Sequence, residues 1–284
     1  MILHPFFDNS AITNKSSLDF WCKIQDNYLY EIMKKEGITV TSKIDKTWEA
    51  LYPLIIYYAI LAIAVDMVNR FTGIATYSPM LAQAIEKIIC LPFMYYFYRK
   101  VSMKGKHGYS LSSVLIVIAL GILWSVAINN IIAVMPIREM SDVFQKVNGK
   151  IYSDKHLYQL LAAGIVAPIL EEITFRGVLF GNLRNAYGRW LAIIVSSLLF
   201  GIFHFNMVQF IYATIIGAVF AYIYDKTRSI VLAILAHAAA NIMSLAATWY
   251  GFLGIITSST MVTLLSGIII LIVAVVMMVK WKKI

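Results

Sequence analysis

The sequence has few charged residues and few cysteines. Only 14% of its 284 residues are charged, whereas 60% are hydrophobic, a composition far outside that of soluble globular proteins. The long apolar runs leave no room for a sizeable water-soluble domain, so they indicate a polytopic membrane protein. The formal charge of +9 does not indicate a nucleic-acid partner, because the basic residues lie between the apolar runs, where membrane topology explains them.

Disulfide chemistry and a cleaved leader are also disfavoured. The two cysteines, Cys22 and Cys90, form no CxxC motif and no recognisable framework, so we interpret them as free thiols. The first 49 residues are polar and lack the apolar segment of a signal peptide, so none is expected. We predict a polar cytoplasmic N-terminal segment over residues 1–49 and a membrane domain over residues 50–284.

The membrane domain is predicted to be all-α, with about eight transmembrane helices enclosing an intramembrane catalytic cavity. A helix needs about 20 largely apolar residues to cross the hydrocarbon. The second predicted span is the weakest, because Glu86 and Lys87 interrupt it. The stretches that qualify are residues 50–68, 79–98, 111–135, 158–180, 190–205, 208–224, 230–249 and 261–279.

Lysine and arginine are unevenly distributed between the two sides that these spans define. With a cytoplasmic N-terminus, the inside connections are rich in bases, whereas the outside loops hold Arg70 and four bases within residues 136–157. Glu139, Asp142 and Asp154 nearly neutralise those four. The positive-inside bias therefore predicts that both termini are cytoplasmic. A composition rich in lysine and isoleucine suggests a bacterial cell membrane.

Two adjacent glutamates interrupt the fourth predicted span. A charged side chain near the bilayer centre costs at least about 2.5 kcal/mol, so such residues are functional-site candidates. Arg176 follows Glu172 by four residues on one helical face, so an ion pair is expected, with a purely architectural role left open. Glu171 has no local cation, which favours it as a general base. Pro168 cannot donate to the carbonyl of Gly164, so a kink before the glutamates is predicted.

Further polar residues lie in later apolar segments. His204 ends the fifth span with Phe200 one turn earlier, and His237 and Asn241 lie at i and i+4, so the last two face one way. They could tie helices together by hydrogen bonds. Beside the glutamates, they could instead surround a reacting carbonyl or a metal. No serine or cysteine lies convincingly beside a histidine, so a covalent intermediate is not indicated.

Small residues at four-residue spacing predict close helix packing. Gly177 and Gly181 form one such step in the fourth span, and Ala213, Gly217 and Ala221 form another in the sixth. Small side chains let the backbones of membrane helices approach each other. We therefore expect both stripes to lie at helix interfaces.

The ordered motifs resemble those of the CAAX protease and bacteriocin-processing family, the intramembrane protease group that includes the CAAX prenyl endopeptidases. Each motif alone is weak, but their order, spacing and placement in separate spans agree. The motif-bearing core covers residues 158–249. The motifs are Glu171-Glu172-xxx-Arg176, Phe200-xxx-His204 and His237-xxx-Asn241.

The resemblance implies a role for each motif residue. Glu171 and His204 would activate a water, while His237 and Asn241 would stabilise the oxyanion of the tetrahedral intermediate. The supporting residues would be Glu172 and Arg176, which hold the site together, and Phe200, which packs beside the substrate or an imidazole.

The sequence leaves the need for a metal open. Glu171, His204 and His237 could form a catalytic zinc site, but the H-E-x-x-H motif is absent. The family's motifs also fit a glutamate-dependent mechanism. Asparagine is a poor zinc ligand and a good neutral donor, so Asn241 favours a reaction without a cofactor, with zinc as the alternative.

Three functions are compatible with these residues. The leading hypothesis is an intramembrane endopeptidase that cleaves membrane-associated peptides or proteins, in a cavity that opens to the cytoplasmic side. The alternatives are a non-catalytic bacteriocin-immunity or peptide-binding membrane protein of the same fold, and a transporter whose buried carboxylates relay protons. The complete set of base and donors favours the endopeptidase.

Overall fold

The computed structural model describes residues 40–101, 109–251 and 259–281, except for the side chains of residues 40–44. Most of the predicted N-terminal segment, including Cys22, therefore lies outside the described residues. Within those ranges the chain is all-helical and has no strand. Cys90 is a buried free thiol.

The main helices of the described chain are numbered here in order. Five of them begin at a serine or asparagine whose side chain accepts a hydrogen bond from a backbone N–H of the first turn. These capping residues are Ser78, Ser110, Ser141, Asn206 and Ser229. The helices are α1 (Val40–Thr72), α2 (Pro79–Lys100), α3 (Leu111–Ala133), α4 (Asp142–Tyr152), α5 (residues 156–187), α6 (Arg189–Ile202), α7 (Met207–Thr227), α8 (Ile230–Trp249) and α9 (Thr260–Lys280).

Within the described residues, five helices are long and apolar enough to cross a membrane: α1, α3, α7, α8 and α9. The chain is therefore an integral membrane protein. The other predicted spans also form helices, but α2 carries Glu86 and Lys87, α5 is divided internally, and α6 has only 14 residues. The count of eight stays a prediction.

Helix α5 carries the glutamates and contains two π-helical segments. Wide π-helical turns are rare and are frequently found at functional sites. Neither turn was predicted from the sequence, which indicated only a kink at Pro168. The segments are α-helical at His156–Gln159, Ala167–Glu172 and Gly181–Tyr187, and π-helical at Leu160–Val166 and Ile173–Phe180.

The first π segment changes which carbonyl loses its partner at Pro168. The amide of Ala167 bonds to the carbonyl of Ala162, five residues earlier. In this winding the amide of residue 168 would bond to Ala163, but proline has no amide hydrogen. The π winding therefore leaves the carbonyl of Ala163 without a backbone partner at Pro168, whereas in an unbroken α-helix the proline would affect the carbonyl of Gly164.

Close helix packing depends on glycines. A Cβ on Gly177 would lie 2.6 Å from the ring of Tyr98, and one on Gly181 would lie 2.7 Å from Val101, so both face the end of α2. Helices α6 and α7 meet most tightly at Gly201, where a Cβ would lie 2.1 Å from Oγ1 of Thr214. These approaches position α5 between its neighbours.

Candidate active site

Glu171 on α5 pairs with a lysine of α2. Nζ of Lys87 donates to Oε1 of Glu171 at 2.8 Å, and the two side chains are only 18% and 16% exposed. The expectation that Glu171 has no cation was based on its own helix and is wrong, because the partner lies 84 residues earlier in the chain. The charged pair Glu86–Lys87 in the second predicted span was the sequence signal for it.

Glu172 is fully buried and serves two partners. Its Oε1 lies 3.1 Å from Nη1 of Arg176 and 2.8 Å from Nδ1 of His237. The carboxylate therefore offsets the buried guanidinium and also orients the imidazole. Nε2 of His237 points the other way and lies 3.9 Å from Oε2 of Glu171, so the ring stands between the two glutamates.

Arg176 is fully buried and anchored on α7. Its Nη2 donates to the carbonyl of Gly217 at 3.0 Å, and its guanidinium lies over the rings of Phe200 and Phe220, at 4.3 and 5.7 Å from their centroids. A Cβ on Gly217 would lie 2.9 Å from Nη2. The stripe of small residues on α7 thus leaves space for the arginine.

Aromatic rings confine both imidazoles. Phe220 stacks on His237 with centroids 4.7 Å apart and planes at 23°. The ring of Phe200 meets His237 and His204 at nearly right angles, with centroids 5.9 and 4.9 Å away. Phe200, predicted to pack beside the substrate or an imidazole, contacts both histidines.

His204 lies in the turn between α6 and α7. Its Nδ1 is 2.8 Å from the carbonyl oxygen of Phe200. Because a carbonyl only accepts, Nδ1 carries the proton, and Nε2 of the neutral ring keeps its lone pair. Phe205 follows in the left-handed region, with φ of 55°, and redirects the chain into α7. His204 is thereby held with a basic nitrogen available.

Asn241 supports the irregular part of α5. Its Nδ2 donates to the carbonyl of Ala163 at 2.8 Å, the acceptor that Pro168 leaves without a backbone partner. A buried carbonyl without a hydrogen bond costs about 1–3 kcal/mol. Asn241 therefore stabilises the π segment, and its second amide hydrogen remains for another acceptor.

One cavity brings the predicted catalytic residues together. It has a volume of about 610 Å³, and Glu171, His204, His237 and Asn241 all line it, together with Lys87. This volume lies within the usual range for ligand pockets. Glu172 and Arg176 are fully buried and absent from its lining, so they act from behind the surface. The catalytic roles themselves stay a prediction.

The need for a metal stays a prediction, and two observations bear on the possible ligands. Among the described residues, no three His, Cys, Asp or Glu side chains are grouped to hold an ion. One oxygen of Glu171 already binds the ammonium of Lys87, and this cation would compete with a metal for the carboxylate. The steps derived below therefore use no metal.

The fold and the cavity define a polytopic helical membrane protein with a carboxylate- and histidine-lined cavity. Residues 153–243 match the family model described as Type II CAAX prenyl endopeptidase Rce1-like. The match confirms the resemblance inferred from the three motifs, all of which lie inside it. This similarity to the family covers residues 153–243, about a third of the chain.

Two curated relatives each match a little under a third of the chain. The chain is 38% identical over 82 residues to "Putative membrane peptidase YdiL" of Bacillus subtilis (strain 168), covering 29% of this chain and 34% of the relative. It is 26% identical over 87 residues to "UPF0177 protein YxdF" of Lactococcus lactis subsp. lactis (strain IL1403), covering 30% and 48%. The chain thus spans about a third and about half of these relatives. No solved structure matches the chain.

Proposed function

We propose that this protein is an intramembrane endopeptidase that hydrolyses a peptide bond of a membrane-associated protein or peptide. The observation that carries the proposal is the single cavity lined by Glu171, His204, His237 and Asn241. The family match and the name of the Bacillus relative support peptidase activity. Peptide hydrolysis requires a base for water and donors for the oxyanion in a preorganised site, and these side chains provide both.

Glu171 and His204 activate the water. The sequence argued for Glu171 as a base without a cation, but the ammonium of Lys87 lies beside it. This cation keeps the carboxylate in the ionised form that accepts a proton, and it lowers the proton affinity of that carboxylate. A water between Glu171 and Nε2 of His204 transfers a proton to this pair while its oxygen bonds to the scissile carbonyl carbon. The same proton then passes to the peptide nitrogen as the carbon–nitrogen bond breaks, which leaves a free carboxyl and a free amine.

His237 and Asn241 stabilise the oxyanion. Nδ1 of His237 faces Glu172, so its Nε2 donates to the oxyanion only when the ring is an imidazolium with both nitrogens protonated. Carboxylate oxygens lie on both sides of the ring, Oε1 of Glu172 at 2.8 Å from Nδ1 and Oε2 of Glu171 at 3.9 Å from Nε2. Asn241 contributes its second amide hydrogen. One oxyanion donor is worth about 3 kcal/mol of transition-state stabilisation.

Lys87 is proposed as a positioning residue for Glu171. Its ammonium holds one carboxylate oxygen, so the other is directed to the water. A metal is not proposed, because Lys87 already supplies the positive charge beside the base. Retention of activity after extensive chelation supports this part of the mechanism. Inactivation by a chelator that zinc reverses, approaching one ion per chain, would overturn it.

The substrate is best found by comparing membranes that differ only in the active protein. We expect peptides released by the wild-type protein to be absent when Glu171→Gln replaces it at equal abundance. Asp66→Asn is the matched control, because it makes the same change at an exposed carboxylate whose ion-pair partner is Arg70. Identical peptide sets for the wild type and Glu171→Gln would contradict catalysis and favour a binding protein of the same fold.

A further inference from the structure

One end of the helices gathers arginines around a single carboxylate. Asp225 lies 2.9 Å from Nε of Arg184, 3.1 Å from Nε of Arg189 and 3.5 Å from Nη2 of Arg228. These contacts join the end of α5, the start of α6 and the α7–α8 connection. Lys226 connects the end of α9 to this cluster, because its Nζ donates a hydrogen bond to the carbonyl of Trp281. We call this end of the helices the basic face.

The basic face has the chemistry of a membrane–water interface. Lys226 lies over the ring of Trp281 at 4.8 Å, and Arg189 lies over Trp190 at 4.9 Å. Trp190 is 66% exposed. Tryptophan is enriched where a membrane meets water, and lysine and arginine are enriched on the cytoplasmic side. The tryptophans place the basic face at an interface, and the lysines and arginines assign that interface to the cytoplasmic side.

The opposite end of the helices is formed by residues 134–156, here called the loop face. Oγ1 of Thr248, near the end of α8, donates to Oη of Tyr152 at 3.1 Å. Oγ of Ser78, at the start of α2, donates to Asp154 at 2.6 Å. The positive-inside bias counts lysines and arginines. Among the described residues from Thr47 onward, this end has five, Arg70, Arg138, Lys146, Lys150 and Lys155, and the opposite end has seven, Arg99, Lys100, Arg184, Arg189, Lys226, Arg228 and Lys280.

The cavity extends to the loop face. Arg138, Asn148 and Tyr152 of that segment line it, as do Gln83 in the first turns of α2 and Phe205 between α6 and α7. None of the described residues that line it belongs to the basic face. The polar path from Glu171 therefore leads away from the arginine cluster.

We infer that the cavity opens on the side of the membrane opposite the cytoplasm, and that its substrate is a polypeptide segment exposed on that outer side. The opening follows from the basic face and the cavity lining, whereas the substrate class rests on the proposed function. This inference differs from the sequence-based expectation of a cytoplasmic opening. That expectation placed His204 towards the outer end of its span but had no information on how residues 134–156 fold over the site.

Chemical labelling of single cysteines tests the opening without measuring activity. Cys22→Ser and Cys90→Ala remove the native thiols, and the reporters are Lys146→Cys on α4, Gln83→Cys in the cavity and Lys100→Cys at the exposed end of α2. In spheroplasts, a membrane-impermeant maleimide should label the first two reporters directly and Lys100→Cys only after permeabilisation.

The opposite labelling pattern would overturn the inference, as would protection of Gln83→Cys until permeabilisation. Lys150→Cys, exposed on α4 like Lys146, repeats the measurement if the first variant folds poorly.

A second experiment tests the substrate class. A cleavage sequence found by the peptide comparison is placed on the outer or the cytoplasmic flank of one single-span reporter. We expect cleavage of the outer version by the wild-type protein and not by Glu171→Gln. Cleavage of the cytoplasmic version alone would overturn the inferred side. Cleavage of neither would contradict the proposed function, while the labelling result would still decide where the cavity opens.

Discussion

Nζ of Lys87 lies 2.8 Å from Oε1 of Glu171, which links α2 to the helix that carries the first motif. The family match begins at residue 153, so Lys87 lies outside it. The proposed base is thus controlled by a residue from a part of the chain that the motifs do not cover. A cation at this distance keeps a mostly buried carboxylate ionised and fixes its orientation.

Lys87→Met should lower kcat with little change in KM. The substitution removes the ammonium that orients the base. Because general-base catalysis is worth about 10²–10⁴-fold, we expect kcat to decrease by at least about tenfold. Lys87→Arg keeps a cation and should recover part of the rate, which a role in packing alone would not explain. Arg70→Met, at an exposed ion pair, is the control. Equal kcat for wild type and Lys87→Met would remove Lys87 from the mechanism.

Glu172→Ala should first reduce stability. The change leaves the fully buried guanidinium of Arg176 without its carboxylate, and breaking a buried ion pair costs about 3–5 kcal/mol. Adding Arg176→Met removes the stranded charge and should restore part of the melting temperature in detergent, but not the activity, because His237 has lost its orienting partner. A double variant no more stable than Glu172→Ala would contradict the coupling.

Gly217→Ala should destabilise the site through Arg176. The added methyl would lie 2.9 Å from Nη2 of Arg176 and 3.0 Å from the ring of Phe200, and overpacking of this kind costs about 1–3 kcal/mol. Gly149→Ala is the matched control, because nothing lies within 4 Å of its Cβ. Thermal unfolding should separate the two variants. Equal melting temperatures would show that the arginine is not confined by α7.

Asp154, outside the spans, should contribute stability that depends on pH. Burial raises the pKa of Asp154, but hydrogen bonds from Ser78 and from the amides of Met80 and Lys155 outweigh it, so the pKa is lowered. The stabilisation is therefore present above the unfolded pKa of about 3.9 and is lost as the pH falls through the lower folded value. Asp154→Asn should lower the melting temperature at pH 7. The difference in melting temperature between the wild type and this variant should become smaller as the pH falls below about 4. A constant difference would contradict this origin.

The local parts of the site could be predicted from the sequence, and the parts formed between helices could not. The spacing of Glu172 and Arg176 indicates an ion pair because residues four apart share a helical face. The partner of Glu171 depends on how α2 packs against α5, and the spacing of residues along the sequence does not predict this packing. The π segments were missed for a related reason, since Pro168 indicates a broken hydrogen bond but not the donor, Asn241, that replaces it.

The most direct measurement is the rate at which purified protein in detergent hydrolyses a quenched fluorogenic peptide that carries the identified cleavage sequence. For Glu171→Gln we predict a rate at least about 10²-fold below wild type, with Asp66→Asn close to wild type and all three proteins equally folded. The products should be two peptides with a new carboxyl and a new amine. Hydrolysis by Glu171→Gln at the wild-type rate would contradict the role of Glu171 as the base.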